Sequence, residues 1–329
     1  MADQGAGASD DFGWADPDLR QRLLTDPAAA LAVEGVAIPP GMPARVVTDV
    51  VRIVWLLWVD GQLVPRGRFH IDPNDEGLLF GRGVWESTRT VGGVPWLWDL
   101  HLDRLRRTAA LLDIPLDPAR LPAAAAVSDY VRALTAMDVV IRLNVSAGRA
   151  GRPGTVWMSA ALPPAKPVAV SLKSAPTPVP PGQPQLTWKT FQYSGRLRVG
   201  QDAAKAGFDS ALLLDPNGNL LEAAHANLFI RLPDGWATPT AGDGLFLPGT
   251  VRRHLLDRSP VVIREQVVHR TLLGEVQEAF VTNSSVGIVP VARIDDRTYP
   301  VGEETMSLAR WLEPKAPGGP DLRFVRDGQ

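Results

Sequence analysis

Three residues far apart in this chain carry side chains that together suit one kind of chemistry: Arg104, Lys189 and Glu222. Lys189 sits in Thr187-Trp188-Lys189-Thr190-Phe191, among apolar and aromatic neighbours. A lysine must be deprotonated to attack a carbonyl, and partial burial lowers its pKa in that direction. Glu222 follows a strand-like run (211–214) and the turn Asp215-Pro216-Asn217-Gly218. It opens the stretch Glu222-Ala223-Ala224-His225-Ala226-Asn227, whose small residues let something approach the backbone closely. Arg104 supplies a guanidinium fork that matches phosphate oxygens. An amine that condenses with an aldehyde, a carboxylate that pairs with a protonated ring nitrogen and a phosphate-binding arginine are what a pyridoxal phosphate site needs. Taken singly, each has a plain alternative. Strand lysines and carboxylates after turns ordinarily face water, as do most arginines in a run such as Asp103-Arg104-Leu105-Arg106-Arg107.

These side chains need elements to position them. Residues 1 to 13 are small and acidic and are expected to be disordered. Asp16-Pro17 and Asp26-Pro27 each read as a helix N-cap followed by proline at the first helical position, so two short helices are expected before Pro39-Pro40-Gly41 stops them. From Val54 the pattern turns to strand, turn and strand: 55–59, Asp60-Gly61, Leu63-Val64. A helix follows from Asp99 or His101 to Leu112, with Leu102, Leu105, Ala109 and Leu112 on one face, and another over 123–137. A strand is expected over 139–146, and the prolines at 163, 164 and 167 mark a hinge. Beyond a proline-rich surface excursion (176–184), helices are expected over 198–206 and 250–257, with strands around Glu222, 261–269 and 279–282. Without regular alternation the fold class is α+β. The expected division is an N-terminal extension (1–50), a small α/β domain (51–164), a large α/β domain carrying Lys189 (165–314) and a tail (315–329).

Composition narrows the classes. The 329 residues suit about two domains of ordinary size. The formal net charge of -2 gives no basic footprint for nucleic acid. With no cysteine, disulfides, thiolate metal sites and a cysteine nucleophile are excluded. The apolar run 53–59 is too short to span a bilayer, and the first residues lack a signal-peptide layout, so a soluble cytoplasmic protein is expected, with no metal site and no membrane partner.

The order of further motifs resembles the fold-type IV pyridoxal-phosphate enzymes over about residues 54–295: the branched-chain and D-amino acid aminotransferases and the aminodeoxychorismate lyases. Gly77-Leu78-Leu79-Phe80-Gly81-Arg82-Gly83-Val84-Trp85-Glu86-Ser87-Thr88-Arg89 is similar to the family's first active-site strand. Leu100-His101-Leu102-Asp103-Arg104-Leu105 resembles its His-x-x-Arg-Leu helix, which implies that Arg104 binds the cofactor phosphate and that His101 is structural or capping. The resemblance makes Lys189 the catalytic lysine, Tyr193 a neighbour of the cofactor's phenolic oxygen (or an ordinary packing residue) and Glu222 the ring-nitrogen partner. Leu247-Pro248-Gly249-Thr250-Val251-Arg252 resembles the phosphate loop, whose Thr250 and Val251 would offer free N–H groups at a helix start. Thr282-Asn283-Ser284-Ser285 resembles the last phosphate-binding turn, with Ser284 on the phosphate and Ser285 towards the substrate. Arg142 aligns with an arginine near the substrate carboxylate in branched-chain enzymes, and Trp85 with an aromatic position of the side-chain pocket; a surface arginine and a core tryptophan are the alternatives.

The chain departs from the family pattern at Gln192, where asparagine is commoner, at Ala223 and at His225, both in place of glycine. The Arg-x-His pair of D-amino acid aminotransferases is absent from Ser146-Ala147-Gly148-Arg149-Ala150-Gly151-Arg152. The resemblance therefore implies pyridoxal 5'-phosphate chemistry without fixing the substrate. It implies an aminotransferase working between an amino acid and a 2-oxo acid, with an aminodeoxychorismate lyase as the alternative, and a homodimer in either case. A third reading is a non-catalytic relative acting through its N-terminus. Asp26-Pro27-Ala28-Ala29-Ala30-Leu31 and Glu34-Gly35-Val36-Ala37-Ile38-Pro39 resemble leader segments related to the nitrile hydratase alpha subunit, which imply a recognition partner. A helical extension covering apolar surface is the plainer alternative.

Overall fold

The structure is a computed structural model and describes Thr25, Asp26, Ala29 and residues 44–180, 184–241 and 244–314. Residues 1–13, the helix expected after Asp16, the leader-like segment apart from Asp26 and Ala29, and the C-terminal tail lie outside the described residues. Asp26 does act as expected of an N-cap: its carboxylate accepts the Ala29 N–H at 2.9 Å.

The first helix, α1 (Ala44–Trp55), occupies ground assigned above partly to the extension and partly to a strand. Its valines favour strands by propensity, but the apolar residues recur at helical spacing and make a strongly amphipathic helix, with Ile53 buried in the first core. The strand therefore starts one residue after Trp55, at β1 (Leu56–Val59), which turns back into β2 (Gln62–Pro65). The short helix α2 (Glu76–Phe80) leads into β3 (Gly83–Val91) and β4 (Val94–Pro95). Helices α3 (Trp98–Leu111) and α4 (Ala124–Leu134) follow, then β5 (Val140–Ser146) and β6 (Val156–Ala161). Helix α4 ends before the expected Met137 because Thr135 turns extended, with its hydroxyl on Asp49. The six strands form an antiparallel sheet in the order β2-β1-β6-β5-β3-β4. Helix α3 lies against β3, and its Leu102, Leu105 and Ala109 share one core with Ile141, Leu143 and Val145 of β5, as the helical spacing requires.

The second sheet takes β7 (Val170–Ser174), β8 (Ser210–Leu214), β9 (Leu220–Ala223), β10 (Ala226–Leu232), β11 (Gly235–Pro239), β12 (Ile263–Gln266), β13 (Glu278–Asn283), β14 (Gly287–Ile294) and β15 (Arg297–Thr298). Its order is β12-β11-β10-β13-β14-β7-β8-β9, and β9 pairs back onto β10, so part of the sheet closes on itself. Closure joins β10, β13, β14, β7, β8 and β9 into a ring of strands and encloses a core with Leu172, Leu212, Leu228, Val281 and Val289. Helix α5 (Ser194–Lys205) covers β8, and it begins earlier than the expected 198. Helices α6 (Thr250–Arg258) and α7 (Glu303–Leu312) complete the fold. No helix among the described residues is long and apolar enough to cross a membrane.

The lysine segment joins the two sheets. Thr190 bridges Val84, the Trp85 N–H donates to Lys189 O at 3.0 Å, and the Phe191 N–H donates to Gly83 O at 3.0 Å. Farther along β3, the Arg89 N–H donates to Ser284 O at 3.2 Å. Strand β3 thus carries first-sheet residues into the mouth of the second sheet.

Candidate active site

Lys189 lines one cavity with Arg104, Tyr193, Glu222, Thr250 and Ser284. Its Nζ stands 3.7 Å from the centre of the Trp85 ring, and Trp85 is fixed by its indole N–H on Thr190 O at 2.8 Å. The residue keeps some exposed surface, yet its amine is desolvated, and this outweighs the rest. Desolvation first, then the charge of Arg104, hold the Lys189 pKa at about 7, with Glu86 pulling the other way. A large share of the amine is therefore neutral at physiological pH, the form that attacks carbonyls and accepts protons.

Arg104 is placed by α3 but committed mainly to protein partners. Its Nε and Nη2 donate to the two oxygens of Glu86, each at 2.7 Å, and Nη1 donates to Pro248 O at 3.0 Å. Glu86 is fully buried, and burial pushes its carboxyl up; the Arg104 charge and hydrogen bonds, with His101, outweigh burial and bring it to about 2. An ionised Glu86 can only accept, so His101 Nδ1 donates to it at 2.6 Å. Burial holds His101 below its ordinary value and neutral, so Nε2 accepts from the Thr250 hydroxyl at 3.2 Å. Arg104 keeps spare N–H capacity on its terminal nitrogens at the cavity wall.

Thr250 and Val251 line the cavity and open helix α6, where the first N–H groups have no acceptor within the helix. Gly249 is the N-cap of α6 and makes no side-chain cap, which leaves the helix start open to an anion. A Cβ on Gly249 would lie 2.0 Å from Asn227 Oδ1, so only glycine lets the loop come this close. Across the cavity the Ser284 hydroxyl donates to Ser87 O at 2.5 Å. Ser285 does not line the cavity: its N–H donates to Asn283 Oδ1 at 3.0 Å within the turn.

Glu222 sits on β9 opposite Asn227 of β10, in the tight hairpin that the small residues permit. It is 2 % exposed. Its Oε1 accepts from Arg196 Nη2 at 2.5 Å and from the Leu247 N–H at 3.0 Å; Oε2 meets the Asn227 amide at 3.4 Å. Asn227 also donates to Leu247 O at 2.8 Å and accepts the Gly249 N–H at 3.1 Å, tying the carboxylate strand to the α6 loop. Tyr193 lies edge-on to Trp85, with ring centres 5.2 Å apart, and stacks on His225, whose Nδ1 meets the tyrosine hydroxyl at 3.1 Å. Burial raises the Tyr193 pKa, so the phenol is neutral. Arg142 places its guanidinium 3.8 Å from the Trp85 ring centre, with Nε on Asn144 Oδ1 at 2.9 Å.

Sequence reasoning missed Glu86 and Arg196 as partners of site residues. Glu86 stands out only as part of a motif and Arg196 not at all, and the one available signal is that a buried acid needs a buried base. Neither partner is close in the chain to the residue it holds.

Residues 83–294 match the family model described as amino-transferase class IV. A putative branched-chain-amino-acid aminotransferase of Methanocaldococcus jannaschii is 28% identical over 275 residues, 77% of this chain and 93% of that protein. The aminodeoxychorismate lyase of Bacillus subtilis is 25% identical over 273 residues, again 77% of this chain and 92% of the relative. Among solved structures, a hypothetical aminotransferase from Mycobacterium tuberculosis superposes with a TM-score of 0.72 at 21% identity, covering 78% of this chain and 97% of that one. The same protein has been solved in a PLP-bound form.

Proposed function

Because this chain belongs to the amino-transferase class IV family, we propose that it is a pyridoxal-phosphate-dependent aminotransferase moving an amino group between an amino acid and a 2-oxo acid. The family depends on pyridoxal phosphate, which when bound supplies an aldehyde for amines and a ring that takes up the electron pair left by a departing α proton. The residues present fit that group. The uncapped start of α6, approached closely because position 249 is glycine, suits a phosphate, and Arg104 and Ser284 stand beside it. The buried carboxylate of Glu222 suits a protonated ring nitrogen.

The observation that carries this reading is the Lys189 amine, with a pKa of about 7, in one cavity with Glu222 and the open helix start. Lys189 Nζ would accept the proton leaving the substrate's α carbon and hold it for return. Tyr193 would hold the phenolic oxygen from the side next to Lys189. Arg142 would take the substrate carboxylate, and the Trp85 face under it would border the side-chain pocket. The test is a visible spectrum of protein with added cofactor, followed through a donor amino acid and then a 2-oxo acid. A band that bleaches with the donor and returns with the acceptor is expected, and Lys189→Ala should lose turnover altogether. Multiple turnover by that variant would remove Lys189 from the mechanism.

The equal span of likeness to the lyase supports a second reading, elimination of pyruvate from aminodeoxychorismate with no amino acceptor. Pyruvate release without any 2-oxo acid would establish it. The proposal also includes a homodimer, for which exposed Leu78, Leu79 and Phe80 on α2 offer an apolar contact, and a cytoplasmic location. The division into a small domain (51–164) and a large one (165–314) belongs to the same reading, supported by the two sheets.

A further inference from the structure

Arg196 lies in the first turn of α5, with its side chain 12% exposed, against the Glu222 side chain, which is 3% exposed. Its Nη2 contacts Glu222 Oε1 at 2.5 Å and donates to Leu186 O at 3.1 Å, while Nη1 reaches Ala224 O at 3.4 Å. The guanidinium is thus clamped in place by two backbone carbonyls and does not swing freely. Among the described residues, Glu222 Oε2 has the 3.4 Å contact from Asn227.

Two influences oppose each other on this carboxyl group. Burial is the larger and holds its pKa above the ordinary value; Arg196 most, then the Leu247 N–H and Lys189, pull it back down and limit that rise. The charged or titratable groups facing it in the cavity are Lys189, Tyr193, Arg104 and His225. None of them supplies a permanent, uncommitted positive charge. Lys189 gives up its charge near pH 7, where it acts; Tyr193 is neutral; Arg104 is paired with Glu86; and burial, then Arg196, hold His225 below its ordinary value. Arg196 is the cation that stays.

We propose that Arg196 is a positioning residue for charge: it keeps Glu222 ionised, so that the proton between Glu222 and the ring nitrogen of a bound pyridine cofactor resides on the nitrogen. The inference rests on the function proposed above. One proton is involved and only its address changes. Without the guanidinium, the buried carboxyl competes for that proton and the ring becomes a weaker electron acceptor.

The test is the ¹⁵N NMR signal of ¹⁵N-labelled pyridoxal phosphate bound to the full-length protein, with Arg196→Gln and Arg196→Lys beside it. The wild type is expected at the protonated-pyridine position at neutral pH, Arg196→Gln shifted towards unprotonated pyridine, and Arg196→Lys restored. A merely structural arginine would leave the resonance where it was, and an Arg196→Gln signal at the protonated position overturns the proposal. A second reading needs neither cofactor nor a folded Arg196 variant. In wild-type protein carrying ¹³C-carboxyl glutamate, the Glu222 signal, assigned by its loss in Glu222→Gln, is expected to be that of a carboxylate at pH 7. A protonated carboxyl group there overturns the proposal. Absence of any bound cofactor in the wild type would instead refute the proposed function, and the carboxyl signal would still report whether Glu222 is ionised.

Discussion

The substitution Glu86→Gln tests whether the buried cluster beneath the candidate phosphate site works as the geometry indicates. Glu86 is 0% exposed and holds both Arg104, through two contacts of 2.7 Å, and His101, through one of 2.6 Å. Its pKa lies at about 2 against an ordinary 4.5. At 1.36 kcal/mol per tenfold change, that depression corresponds to about 3 kcal/mol of stability from the ionised form. Because the folded value is the lower one, this contribution is complete above pH 4.5 and disappears as the pH falls towards 2. The introduced amide keeps the shape but leaves the Arg104 charge uncompensated, a type of change that costs about 3–5 kcal/mol at buried pairs. Urea unfolding of the cofactor-free protein at neutral pH should show the variant less stable by about 3 kcal/mol, with an unchanged slope against denaturant. The gap between the two proteins should narrow as the pH is lowered below 4.5. A difference within about 0.5 kcal/mol at neutral pH, the ordinary range for a surface change, would refute the reasoning. So would a gap that acid leaves untouched.

Two more outcomes follow from the same geometry. The rate at which the protein captures pyridoxal phosphate, read from growth of the visible band, should rise through pH of about 7 as Lys189 loses its proton; an inflection near 10.5, the ordinary lysine value, would contradict the desolvated amine. Arg142→Leu should raise KM for the amino acid by roughly tenfold or more, as expected for losing a charge-assisted hydrogen bond of about 1.5–3 kcal/mol, with kcat less affected. An unchanged KM would place carboxylate recognition elsewhere.

The sequence by itself determined the α+β class, the family and the candidate chemistry around Lys189, Glu222 and the Gly249 loop. Each of these is written locally, as a motif of neighbours, a turn with its glycine or an apolar face at helical spacing. Helix α3 and strand β5 were legible for that reason, since Leu102, Leu105 and Ala109 need only their own periodicity to define a face. Tertiary structure decided what those residues touch. It buried Ile53 of the amphipathic helix 44–55 in the first core, and it closed the second sheet by pairing β9 with β10. It set the fork of Arg104 on Glu86, the guanidinium of Arg196 on Glu222 and both Arg142 and Lys189 on Trp85. Local pattern records which side chains are buried, whereas charge in a buried site depends on partners brought together from separate elements. The state of Lys189 and Glu222 therefore became readable only once the chain had folded.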